Sequence, residues 1–222
     1  MLYRIVHSVL KPLSFAIYRP TVEGIEHVPT AGPVIIASNH LSFIDSVVIP
    51  LASPRQVGFL AKAEYFTGTS LSGRLRKEFF EAVGAIPVDR DSPRAAQDSL
   101  AAQLAVLRAG GATGIYPEGT RSRDGRLYAG RTGVAWLALE AQCPIMPVGL
   151  LGTQDIQPVG ARFPRLADVT VRFGEPVQVA GRFDGVPAAK ARRQITDEVM
   201  AAIRALTGQE LAGVVNDRSA SA

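Results

Sequence analysis

The chain has 222 residues, 47% of them apolar and 20% charged, which suits one large domain with a substantial core better than two small ones. Its formal net charge of +4 favours anionic partners such as phosphorylated metabolites, nucleic acid or a membrane surface, while the lack of a Lys/Arg run interleaved with aromatics speaks against a dedicated nucleic-acid binder. The single cysteine, Cys143, excludes an intrachain disulfide framework and a Cys-clustered zinc site; set before Pro144 in an apolar run, it reads as a buried structural thiol.

From the N-terminus, residues 1–18 place Leu2, Ile5, Val9, Leu13 and Ile17 near one helical stripe, with Arg4, Lys11 and Arg19 as positive charges and no acid before Glu23. The segment lacks the uninterrupted apolar core and cleavage site of a signal peptide. Residues 1–19 are therefore expected to form an amphipathic helix lying on an anionic membrane surface, the alternative being a helix packed on the protein's own core. The nearly uncharged stretch 27–54 carries Asn39 and His40 in its middle and prolines at Pro29, Pro33 and Pro50, which suits a strand, turn and helix and not a bilayer span. Apolar runs at 21–24, 34–38, 57–61, 85–88, 114–116, 145–150 and 169–173 predict strands. Amphipathic runs at 42–53, around 73–82, and at 93–109, 133–142 and 187–206 predict helices. The third of these is punctuated by Ser92 as cap, Pro93 at the first position and Gly110-Gly111 at its end. The alternation predicts an α/β fold with a mixed, mostly parallel sheet flanked by helices, one domain over 20–207, and a frayed polar tail at 208–222.

Polar clusters follow three of these strands, where ligands of open α/β sheets bind. The first is Ser38-Asn39-His40-Leu41-Ser42-Phe43-Ile44-Asp45. A histidine with a carboxylate five residues on, at a strand-to-helix corner, can serve as a general base for a hydroxyl. Ser42-x-x-Asp45 fits a capping box equally well, Asn39 could simply turn the chain, and His40 could be a satisfied core histidine. The second cluster ends the strand 85–88 with Asp89-Arg90, and the planar fork of Arg90 matches a phosphate. The third is Tyr116-Pro117-Glu118-Gly119-Thr120-Arg121, in which Gly119 permits close backbone approach and Arg121 can hold phosphate. Glu118 can orient an arginine or accept a hydrogen bond from a glycerol hydroxyl. Arg74, Arg76 and Lys77 read first as a solvated helix face and otherwise as contacts to headgroups or an acyl carrier.

Asn39-His40-x4-Asp45, Gly84 to Arg90, Tyr116-Pro-Glu-Gly-Thr-Arg121 and Pro144-Ile-Met-Pro147, in this order, resemble the four motifs of the lysophosphatidate acyltransferase family of glycerolipid synthesis. Weaker similarity runs from about Pro20 to Leu206, with Tyr116 standing where phenylalanine is common. The resemblance implies that the domain at 20–207 moves a fatty acyl group from a thioester, acyl-CoA or acyl-carrier protein, to the hydroxyl of 1-acylglycerol 3-phosphate. His40 would be the base and Asp45 its orienting acid. Arg90, Glu118, Gly119, Thr120, Arg121 and, more weakly, Lys62 would bind the acceptor. No bound cofactor and no metal are expected, and the protein would sit peripherally on the cytoplasmic face of the cell membrane. No serine is placed as a nucleophile, because Gly68-Thr69-Ser70-Leu71-Ser72 lacks the second glycine of a nucleophile elbow, so direct transfer is expected. The same chemistry on glycerol 3-phosphate or another lysophospholipid is one alternative; a non-catalytic peripheral membrane protein is the other.

Overall fold

The structure, a computed structural model, describes residues 11–68, 70–89, 94–158 and 163–216. A seven-stranded sheet runs in the order β1 (Thr21–Glu23), β8 (Thr170–Phe173), β7 (Ile145–Leu151), β2 (Val34–Ser38), β5 (Ala112–Ile115), β3 (Val57–Lys62), β4 (Ile86–Val88). Pairing is parallel throughout except between β7 and β8, so β1 and β8 oppose the other strands and the sheet is mixed and mostly parallel, as expected. The central strand β2 is buried at every position, which explains its unbroken apolar run: both faces of a parallel sheet are covered.

The alternation of side chains across β2 divides the core in two. Ile35 and Ala37 face α4 (Ala95–Arg108), α5 (Gly133–Ala141) and α7 (Ala188–Thr207), joining Leu107, Leu137, Ile195 and Ile203. Val34 and Ile36 face the other way, with Met146 and Val148 of β7, Phe173 of β8 and Ile49 of α2 (Asp45–Ala52). Cys143 lies in the first cluster, and burial pushes its thiol up to about 12, as expected of an inert structural cysteine. Gly114 of β5 lets Phe59 lie against the strand: a Cβ there would sit 2.1 Å from the ring.

Two differences from the sequence reading matter. Residues 211–215, expected in a frayed tail, form β9 (Leu211–Val215), which pairs in parallel with β6 (Leu127–Ala129), a strand too short to stand out as a pattern. Side chains tie this ladder in place: Gln209 Nε2 donates to Gly125 O at 2.7 Å, and Arg131 donates to Asn216 O at 3.0 Å. Residues 217–222 lie outside the described residues, as do residues 1–10 of the expected interfacial helix. Of that helix, α1 is described over residues 11–18; Leu13 and Ile17 are exposed on it, while Tyr18 packs on the second core cluster and Lys11 reaches Ser53 O at 3.5 Å. Among the described residues no helix is long and apolar enough to cross a membrane.

Candidate active site

Because β2, β3, β4 and β5 are parallel neighbours, the turns that follow them leave one edge of the sheet. This brings together the segments carrying His40, Lys62 and Glu118–Arg121, while Arg90 falls outside the described residues. At the end of β2 the side chain of Asn39 replaces a strand. Its Oδ1 accepts from Leu150 N at 2.8 Å and its Nδ2 donates to Leu150 O at 2.9 Å, fixing the corner against β7. The turn then closes around one carboxylate oxygen. Asp45 Oδ2 accepts from Leu41 N at 2.7 Å, from Ser42 N at 2.9 Å and from His40 Nδ1 at 2.8 Å. One atom thus makes the backbone bonds of the capping reading and the bond to the imidazole: Asp45 reaches back to the backbone and holds the ring. Ser42 does not complete the box, since its hydroxyl donates to Gln157 O at 2.9 Å.

Asp45 is fully buried, whereas the His40 side chain keeps 16% of its surface exposed. An ionised carboxylate only accepts, so the proton of the ring sits on Nδ1 and Nε2 carries the lone pair. The ring is also held by its face. Tyr116 stacks on it with centroids 3.8 Å apart and planes 6° from parallel, and the Tyr116 hydroxyl bonds Ser46 Oγ at 2.9 Å. Burial, reinforced by the charge of Asp45, raises the Tyr116 phenol well above its ordinary value, so it stays neutral. Phe59 backs Tyr116 at 5.2 Å.

The loop after β5 turns at Gly119, whose φ of +81° suits glycine and whose N–H donates to Tyr116 O at 2.9 Å. Ser122 N donates to His40 O at 2.7 Å, so the backbone at Arg121 runs next to His40. Arg121 is half-buried, and among the described residues its guanidinium has no hydrogen-bond or ion-pair partner; its carbonyl accepts from Asn216 Nδ2 at 3.2 Å. The nearby acid, Asp124, is instead taken by Arg126 at 2.7 Å, by Tyr128 OH and by Ser122 Oγ. Burial opposes its ionisation, but these bonds outweigh that and hold it at about 2. Lys62 is half-buried at the end of β3, in register with Val88 of β4.

Glu118 is buried, with Oε1 accepting from His40 N at 3.0 Å and Oε2 from Tyr128 N at 2.9 Å, so both of its oxygens bind backbone donors. Burial raises its carboxyl to about 7 against the opposing pull of these two bonds. Sequence reasoning also missed the parts played by Asn39, Ser122 and the β6–β9 ladder. Asn39 and Ser122 lie inside the polar clusters and were visible as such; the ladder left no readable pattern. Among the described residues no group of three or more His, Cys, Asp or Glu side chains could hold a metal ion.

The structure thus holds a His–Asp pair at the strand ends of a mixed α/β sheet, next to a loop that carries an arginine without a side-chain partner among the described residues. The chain belongs to the Acyltransferase family, whose model matches residues 19–151. It is 28% identical over 165 residues to the chloroplastic 1-acyl-sn-glycerol-3-phosphate acyltransferase BAT2 of Brassica napus, covering 73% of this chain and 46% of that one. It is 26% identical over 183 residues to the 1-acyl-sn-glycerol-3-phosphate acyltransferase of Bacillus subtilis, covering 82% of this chain and 84% of that protein. Relative to the Brassica napus protein the chain spans about half the length (46%). The crystal structure of the 1-acyl-sn-glycerophosphate acyltransferase PlsC from Thermotoga maritima shares the fold, with a TM-score of 0.67 at 22% identity over 92% of this chain and 78% of that one.

Proposed function

We propose that this protein transfers a fatty acyl group from a thioester, acyl-CoA or acyl-carrier protein, to the free hydroxyl of 1-acylglycerol 3-phosphate, giving phosphatidate. The observation that carries this reading is the His40–Asp45 pair at 2.8 Å beside an unpartnered Arg121. His40 Nε2 takes the hydroxyl proton as the oxygen attacks the thioester carbonyl. The C–O bond forms, the tetrahedral intermediate collapses with cleavage of the C–S bond, and the departing thiolate receives the proton from the imidazolium. Asp45 fixes the tautomer and stabilises the imidazolium that develops. The acyl group passes directly, without an acyl-enzyme. Arg121 and Lys62, with Arg90, bind the acceptor phosphate, and the +4 charge favours that anion. Neither a cofactor nor a metal takes part, because a thioester is already activated.

The protein works on the cytoplasmic membrane face, held by residues 1–19 with Leu13 and Ile17 towards the acyl chains; both are exposed, which supports this reading. Removal of residues 1–18 then releases it from anionic liposomes, and unchanged partitioning would contradict the attachment. The reaction itself is tested by supplying acyl-CoA or acyl-carrier protein with 1-acylglycerol 3-phosphate, glycerol 3-phosphate or another lysophospholipid. Phosphatidate as the preferred product supports the proposal; turnover only on glycerol 3-phosphate, or none on any acceptor, overturns it.

A further inference from the structure

We propose that Glu118 is a positioning residue, a two-acceptor strut that sets the imidazole of His40 by joining the backbone of the base to strand β6. The proposal rests on the reading of His40 as the general base. Glu118 and Ser122 grip the same residue from both sides: Glu118 Oε1 accepts the His40 N–H at 3.0 Å, and Ser122 N donates to the His40 carbonyl at 2.7 Å. The second oxygen of Glu118 accepts the Tyr128 N–H at 2.9 Å. Tyr128 lies in β6, which is braced by the Leu127 N–H on Glu210 O at 2.8 Å and by pairing with β9. His40 is therefore held at its backbone by Glu118 and Ser122, at Nδ1 by Asp45 and on its ring face by Tyr116.

Among the described residues no cation pairs with Glu118, and the side chain has no exposed surface. A buried carboxylate without an ion pair is costly, and what it provides here is two acceptors for two backbone donors that otherwise have none. This makes glutamine an unsuitable substitute despite its identical shape. Its amide offers one acceptor and one donor, so one of the two N–H groups would face another N–H.

The test compares Glu118→Gln with the unaltered protein by steady-state kinetics and by the proton NMR signal of the His40 Nδ1–H, whose downfield position reports its bond to Asp45. Displacement of the ring predicts a kcat lower by about 10²-fold, the acceptor KM within about twofold, and a shifted or lost Nδ1–H signal. A variant with unchanged kcat and signal overturns the proposal, and so does one whose only change is a raised acceptor KM, the mark of a carboxylate that touches substrate. Should the variant not fold, hydrogen exchange in the unaltered protein decides: slow exchange at the His40 and Tyr128 amides supports the strut, and rapid exchange at either overturns it. If the unaltered protein transfers no acyl group, the proposed reaction fails, while the NMR and exchange readouts still judge the strut.

Discussion

The two halves of the candidate site are built in opposite ways. The turn that holds His40 is densely bonded: the carbonyl, N–H, Nδ1 and one ring face each have a partner, and Asp45 Oδ2 accepts three bonds while its Oδ1 is buried without one. The neighbouring arginine, proposed to hold the acceptor phosphate, is left open. Arg121 has a fixed backbone and, among the described residues, an unpartnered guanidinium, the local acid Asp124 being held by Arg126. A base works only in one geometry, so its freedom is removed in advance. An anion receptor works through charge not yet neutralised, so its freedom is kept. Rigidity and vacancy sit on either side of a single bond, that from Ser122 N to His40 O.

Substitutions should separate the two halves. The largest effects belong to the densely bonded side. His40→Ala should lower kcat by about 10²–10⁴-fold with the melting temperature nearly unchanged, read by acyl transfer and thermal unfolding together. Asp45→Asn should be as severe, because an amide permits the wrong tautomer and a donor would then face Leu41 N and Ser42 N; retained kcat would remove Asp45 from the mechanism. The open side should respond in binding. Arg121→Ala should raise the acceptor KM about tenfold or more with a smaller loss of kcat, and a loss confined to kcat would contradict a phosphate-binding role.

A smaller effect is expected from the brace. Deleting residues 209–222 removes the Asn216 bond to Arg121 O and the β6–β9 ladder, and should raise the acceptor KM by about three- to tenfold. An unchanged KM would show that the ladder does not support the loop.

The pH dependence of stability sharpens the same contrast, since the two carboxyl groups flanking Arg121 are shifted in opposite directions. Glu118 titrates near 7 in the folded protein against 4.5 ordinarily. The folded state therefore keeps a proton that the unfolded chain has already released. Its contribution falls as pH rises from about 4.5 to about 7, by up to about 3 kcal/mol, and is flat above. Asp124 is held at about 2 against 3.8, so its contribution is lost only as pH falls through that lower window, and its exposure keeps it small. Denaturant unfolding between pH 5 and 8 should show a decline in the unaltered protein that is missing in Glu118→Gln. Equal slopes would mean that Glu118 does not titrate there.

Much of the fold was legible because a buried parallel sheet writes itself as apolar runs between amphipathic ones. Val34–Ser38 was read to the residue, and the other strands of the large sheet to within about two. β6 and β9 were not, since three residues hold no period and Leu211, Val214 and Val215 lie exposed. The His40–Asp45 pair was legible because six consecutive residues of one turn contain it. The bonds of Glu118 were not legible because its partners, His40 N and Tyr128 N, are backbone groups on other elements, and no side-chain spacing announces them. Asn39 was ambiguous for the same reason, its partner being the backbone of Leu150, 111 residues away.

The central claim is that a neutral imidazole faces a hydroxyl whose phosphate is gripped beside it. The most direct measurement is a crystal structure of the protein with 1-acylglycerol 3-phosphate bound. The account predicts the free hydroxyl within about 3.2 Å of His40 Nε2 with the phosphate on the Arg121 guanidinium. A phosphate seated away from Arg121, with the hydroxyl out of reach of Nε2, would contradict it.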